Sequence, residues 1–178
     1  INQIEMTIDD ECATIIARRQ PTASDLRLVI TIIKVNRDLE RIGDEAAKVA
    51  RQAVQLSEGG MSPSSFVEIR HIGALVGVLL RQSLDAFARL DVTKAIEVVR
   101  GDAEVDKEYG SAMRSLVTFM VEDPRNIGAI LNEMWALRSL ERIGDHACNI
   151  AEHVVYLVKG LDVRHGRLSE LGEEALDI

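Results

Sequence analysis

Cysteine is nearly missing from this chain: Cys12 and Cys148 are the only two among 178 residues, and neither belongs to a CxxC pair. Disulfide scaffolds and thiolate zinc sites are excluded on that ground. Proline occurs only at positions 21, 63 and 124, which leaves long stretches free of helix breakers. Positive charge is also short, with 21 Lys and Arg against 29 Asp and Glu, a net −8. Because affinity for nucleic-acid backbones comes from Lys and Arg neutralising phosphates, nucleic acid is not an expected partner. No apolar run approaches the ~18 residues of a membrane span; the longest, Leu26 to Val35, is interrupted by Arg27, Thr31 and Lys34. No initiator Met, signal peptide or basic leader precedes Ile1, so the expectation is a cytoplasmic protein whose sequence starts part-way along a longer one.

What is present is helical pattern from end to end. Hydrophobic residues make up 47% of the chain, enough for a packed core despite the charge. The prolines mark boundaries: Asp123-Pro124 reads as an N-cap followed by Pro in the first turn. Ser62-Pro63 follows Gly59-Gly60 in the same way. Thr22 and Ser24 offer caps after Pro21, and Asp91 offers one after Leu90. These signals predict five helices over 1–19, 23–57, 64–89, 92–121 and 124–159, with a linker at 57–64 and a Gly-containing tail from 160. No alternating strand pattern competes with them.

The second predicted helix carries a stripe stepping by fours and threes: Leu28, Ile32, Val35, Leu39, Ile42, Ala46, Val49, Ala53 and Leu56. The fifth carries Ala136, Leu140, Ile143, Ala147, Ile150, Val154 and Leu157. Such heptads belong to helices packed nearly parallel in a bundle. Helices of about 30 residues would reach ~45 Å.

Arg37-Asp38-Leu39-Glu40-Arg41-Ile42-Gly43-Asp44 returns, 101 residues later, as Arg138-Ser139-Leu140-Glu141-Arg142-Ile143-Gly144-Asp145. Seven of the eight positions are identical. Helical bias alone would not set Gly in mid-helix twice, at about 1 kcal/mol each, so the pattern is an internal duplication. Glu5 to Asp9 corresponds in the same way to Asp102 to Asp106. The fold expected is all-α: two tandem three-helix units related by a pseudo-repeat. The first unit, 1–60, lacks its first helix; the second, 61–160, is complete; 161–178 is a tail.

Four pairs share the spacing acid-xxx-Asp: Glu5/Asp9, Glu40/Asp44, Asp102/Asp106 and Glu141/Asp145. Residues four apart lie one above the other on a helix, so each pair repels unless a cation compensates. One candidate is arginine: Arg37 precedes Glu40 by three residues and Arg41 precedes Asp44 by three, a surface ion-pair ladder. The other is a hard divalent metal such as Mg, Mn or Fe(II), held by Glu5/Asp9 with Glu40/Asp44 and by Asp102/Asp106 with Glu141/Asp145. The residue types and spacing leave both open. Other constellations are weaker. Glu68-Ile69-Arg70-His71 is a lone Glu-x-x-His where di-iron bundles use two. His146 and His153 flank the second acidic motif, and neither a phosphate-binding loop nor a nucleophile elbow occurs.

Three segments carry a family resemblance. They are Ala17-Arg18-Arg19-Gln20-Pro21-Thr22-Ala23-Ser24-Asp25-Leu26-Arg27, Asp38 to Asp44, and Leu140-Glu141-Arg142-Ile143-Gly144-Asp145-His146-Ala147-Cys148-Asn149-Ile150-Ala151-Glu152. They resemble the PhoU family, the accessory proteins of phosphate-specific transport. The resemblance implies two similar three-helix bundles and a non-enzymatic negative regulator of the phosphate-starvation response. It implies partners as well: the ATPase subunit of a phosphate ABC transporter and a sensor histidine kinase, engaged by a homodimer that reaches the inner membrane only through them. Metal ions (Fe, Zn, Mn or Mg) on the four acid-xxx-Asp pairs are implied by it too. A metal-storage or metal-dependent bundle is the alternative. Glu45 and Lys48 stand where the second copy has His146 and Asn149, and Asp38 where it has Ser139, so the two sites are expected to differ in affinity.

Overall fold

In a computed structural model the described residues are 2–58, 66–161 and 163. Five helices account for almost all of them: α1 Asn2–Arg19, α2 Ala23–Glu58, α3 Val67–Arg89, α4 Val92–Glu122 and α5 Ile127–Lys159. A single 3-10 turn, Pro124–Asn126, leads into α5. Among the described residues there is no strand. The Ser62-Pro63 signal and most of the predicted tail lie outside the described residues.

The aspartate caps offered at the start of α4 and ahead of α5 form, whereas the first residues of α3 and α5 themselves follow Phe66 and Asn126 without a side-chain cap. Asp91 caps α4 by accepting from Lys94 N–H at 3.0 Å. Asp123 accepts from Arg125 N–H at 3.2 Å, but Pro124 first makes the 3-10 turn, which delays α5 to Ile127. Leu90 ends α3 in the left-handed region at φ 54°, and Asp91 N–H donates back to Ala86 C=O at 2.9 Å. That closure is normally a glycine's task.

α3, α4 and α5 each pack on the other two, α1 packs on α2, and α2 packs on α5. The contacts along α2 and α5 run in opposite senses. Arg27 and Lys34 lie over the Tyr156 ring, Asp38 meets Asn149, and Glu45 meets Arg142. The two helices are therefore antiparallel. α5 is the hub, and its stripe Ala136, Leu140, Ile143, Ala147, Ile150 and Val154 is buried as expected.

The α2 stripe requires a correction. Val35, Ile42 and Leu56 are buried, but Leu28 and Leu39 are 41% and 36% exposed, and Ala46 and Ala53 are exposed as well. The residues that face α5 beside Val35 and Ile42 are instead Asp38 and Glu45. The reason lies in the neighbours. On α5 the row Leu140, Ala147 and Val154 is buried in the core that α3 and α4 also form. Among the described residues, the matching row of α2, Leu39, Ala46 and Ala53, has no such pair of helices beside it.

Candidate functional site

The second repeat brings its four acids together. On α4, Asp102 is half-buried and Asp106 exposed; on α5, Glu141 is half-buried and Asp145 exposed. Gly144 stands between the helices: a Cβ there would sit 3.4 Å from Asp102 Oδ1 and 3.7 Å from both Val105 and Val76. Its missing side chain is what lets Asp102 reach the turn of α5 that carries Glu141 and Asp145, so this mid-helix glycine has a packing reason. Burial, then the Asp106 and Asp145 charges, push Asp102 up to about 6. Burial and Asp145 likewise raise Glu141 against the pull of Arg138. Asp145 is raised by burial and Asp106.

Glu141 has the arginine compensation on one oxygen of its carboxylate. Its Oε1 takes Arg138 Nη1 at 2.8 Å, while its Oε2 is buried with no hydrogen-bond partner. A buried acceptor without a donor is a vacancy for a cation or a proton. The expected arginine ladder is only partly present: in the first repeat Arg41 turns to the neighbouring Glu40, 3.5 Å away.

The first quartet is arranged differently. Glu5 is half-buried, Asp9 and Asp44 are exposed, and the Glu40 side chain is 13% exposed beside Arg41. Asn36 Nδ2 donates to the Glu5 carbonyl at 3.0 Å and to Asp9 Oδ1 at 3.2 Å. Asn36 lies one turn before Glu40, so Asp9 and Glu40 border the same α1–α2 seam, with an amide already spending a donor on Asp9. The second repeat has buried Leu137 where the first has Asn36. Among the described residues no three Asp, Glu, His or Cys side chains are gathered as a ready ligand set; the second quartet is a crowd of charges rather than a closed shell.

Sequence reasoning missed a second polar cluster, between α2 and α5. Asp38 is buried there. His146 Nδ1 lies 2.8 Å from its Oδ1 and His153 Nε2 lies 3.3 Å from its Oδ2, and Asn149 Nδ2 donates to Oδ1 at 3.3 Å. Burial pushes Asp38 up, but these hydrogen bonds outweigh it and hold the carboxyl down at about 2. An ionised carboxylate only accepts, so both imidazoles donate. Glu45 forms the counterpart: Lys48 Nζ at 2.9 Å, Arg142 Nη1 at 3.1 Å, and a hydrogen bond from Ser139. The signal was in the repeat. Asp38/Ser139, Glu45/His146 and Lys48/Asn149 are positions where the copies differ in type, and they meet across the α2–α5 contact. Burial pushes up the thiols of both cysteines, helped by Asp9 and Glu11 at Cys12 and by Asp102, Glu152 and Asp145 at Cys148.

The chain matches the PhoU domain family over residues 1–53 and 69–154. The chain belongs to the PhoU family. It is 61% identical over 174 residues to the phosphate-specific transport system accessory protein PhoU homolog of Pseudomonas aeruginosa, covering 98% of this chain and 72% of that protein. Against the accessory protein PhoU of Escherichia coli (strain K12) the identity is 46% over 165 residues, covering 93% of this chain and 68% of that one. The crystal structure of PhoU from Pseudomonas aeruginosa superposes with a TM-score of 0.87 over 90% of this chain and 77% of that chain. The regulatory protein PhoU from Streptococcus pneumoniae, 31% identical, gives 0.82 over 92% and 76%. PhoU membership accords with the all-α fold and with the duplicated motif.

Proposed function

We propose that this chain serves phosphate-specific transport as a non-enzymatic accessory regulator. Its proposed partners are the ATPase subunit of a phosphate ABC transporter and a sensor histidine kinase, with the chain acting as a homodimer from the cytoplasmic side. The names of its PhoU relatives support the transport assignment. Among the described residues no helix is long and apolar enough to cross a membrane, which is consistent with contact through partners. Asp102 stands beside the Cys148 thiol, but that thiol is buried and pushed up by burial and by the Asp102 charge, which makes it a poor nucleophile.

The acids are proposed to hold a divalent metal, and the observation that carries this is Glu141 Oε2, buried and without a donor, in a crowd with Asp102, Asp106 and Asp145. An all-carboxylate donor set suits a hard cation such as Mn, Mg or Fe(II). Bound there, the ion would supply charge neutralisation and open positions for an oxygen ligand. Asp102 and Glu141 would hold it from the buried side, Asp106 and Asp145 from the exposed side. Arg138 would keep Glu141 oriented, and Gly144 would keep α4 close. The first quartet, with Asn36 on Asp9 and Arg41 beside Glu40, is proposed as the weaker site.

Metal content after dialysis against Mn(II), by elemental analysis, tests this. The Asp102→Asn/Glu141→Gln chain is expected to lose at least ten-fold in affinity while keeping its helical circular dichroism; Glu40→Ala/Asp44→Ala is expected to lose less. Equal metal in parent and Asp102→Asn/Glu141→Gln chains would overturn the reading.

The first unit is proposed to receive a third helix equivalent to α3. The row Leu39, Ala46 and Ala53 supports this: it is exposed on α2 and its image on α5 is buried in the three-helix core.

A further inference from the structure

The surface of α2 that meets α5 has a regularity that phosphate regulation leaves unused. Thr31, Asp38, Glu45 and Gln52 recur every seven residues along it. Thr31, Asp38 and Glu45 are buried at 0%, 8% and 3% exposure. Their images on α5, displaced by the repeat, are Asn132, Ser139, His146 and His153, again every seven. Between them run Val35, Ile42, Val49 and Leu56 on α2, and Ala136, Ile143 and Ile150 on α5. The contact is thus a heptad seam with one apolar row and one polar row on each helix.

The polar rows are paired with each other: Asp38 with His146, His153 and Asn149, and Glu45 with Ser139 and Arg142. In two members a buried oxygen goes unpaired: Thr31 Oγ1 and Gln52 Oε1 have no hydrogen-bond partner. In a coiled coil, polar residues at core positions fix register and partner and lower stability. The other face of α5 is richer in apolar residues, although Glu133 and Glu141 also lie on it. Leu137, Leu140, Ala147, Ala151 and Val154 are buried in an apolar core formed with α3 and α4.

We infer that the α2–α5 seam is a register-specified joint, along which α1–α2 and α3–α5 part as units while each keeps its own apolar contacts. Parting there uncovers Val35, Ile42, Ile143 and Ile150, but with them Asp38, Glu45, His146, Asn149 and His153, which water solvates. Parting α5 from α3 and α4 uncovers, beside Glu133 and Asp102, a larger share of leucine, valine and alanine, which water does not solvate. The joint is therefore the surface of least resistance. Its charged pairs favour one register, because a slip of one heptad leaves Asp38 against one imidazole instead of two.

Native-state thiol labelling of the whole chain tests this, with each site followed by mass spectrometry and normalised to its rate in the urea-unfolded chain. The probe is Thr31→Cys, at a position that is fully buried on the seam and whose hydroxyl has no hydrogen bond to lose. Cys148 is the internal control, buried on α5 with its thiol on the Val98 carbonyl of α4. Position 31 is expected to label at least ten-fold faster than Cys148. Adding Asp38→Leu, His146→Leu and His153→Leu is expected to slow position 31 ten-fold or more while leaving Cys148 as it was. Equal rates at 31 and 148 would overturn the joint, as would a position-31 rate unmoved in a folded triple-leucine chain. The first comparison needs only the single-cysteine addition and decides the matter if the triple variant does not fold.

Discussion

Glu133 places a carboxyl where its surroundings oppose a charge. It is 2% exposed on α5 with Oε1 unpartnered, and burial together with Glu68 pushes its carboxyl up to about 7. The ordinary value, 4.5, applies to the unfolded chain. Between those two pH values the folded state binds the extra proton, so Glu133's contribution is fully present below pH 4.5 and is lost as pH rises through about 7. Asp38 has the opposite sign: its carboxyl is held at about 2 against an ordinary 3.8, so its contribution is present above 3.8 and is lost as pH falls through about 2. Urea denaturation of Glu133→Gln is expected to show greater stability than the parent at pH 8 and a flatter profile between pH 5 and 7. A parent-like slope across that window would show that the proton sits elsewhere. At this scale the sequence was legible for the acid pairs, whose spacing is printed in it, and illegible for Glu133. Nothing in a lone glutamate on an apolar stripe announces that α3 will bring Glu68 alongside.

Helix ends and faces were legible to differing degrees. Asp91 and Asp123 announced their helices because a cap is a local interaction between neighbours in the chain. Asp91→Ala is expected to cost about 1 kcal/mol, read as a lowered urea midpoint. At the other side of the same turn, Leu90 adopts φ 54°, a conformation costing a side chain roughly 1–2 kcal/mol. Leu90→Gly is therefore expected to raise the midpoint modestly, since Leu90 is 48% exposed and leaves little packing behind. The choice of face on α2 was not legible. Leu39 and Ala46 continue an apolar heptad as well as Asp38 and Glu45 interrupt one, and hydropathy alone prefers the former. What decides is tertiary: α5 supplies His146, Asn149, His153 and Arg142, which make carboxylates acceptable on the inner side.

For the molecule as a whole, duplication makes the same substitution report on two environments. Leu39 and Leu140 are images of one another, one 36% exposed and the other 9%. Leu140 also lies 3.8 Å from where a Cβ on Gly73 would stand. Leu140→Gln is expected to destabilise by about 3 kcal/mol, as a buried leucine exchanged for an amide does, and Leu39→Gln by less than about 0.5 kcal/mol. Thermal melts of the two single variants check this. In a longer parent chain in which a further helix covers the α1–α2 face, the Leu39 effect should rise toward that of Leu140.

The polar seam also bears on how one chain came to prefer itself over its own halves. Two α2 helices set together in the register of α2 and α5 would place Asp38 against Glu45, carboxylate facing carboxylate, twice over, with Lys48 and Arg41 rather than imidazoles to offset them. Two α5 helices would place Ser139 against His146, with no anion for either imidazole. Each half is thus a poor mate for its own likeness and a good one for its sibling. Divergence at four repeat positions has given a duplicated fold the pairing rules of a heterodimer, and the linker keeps both members on one polypeptide.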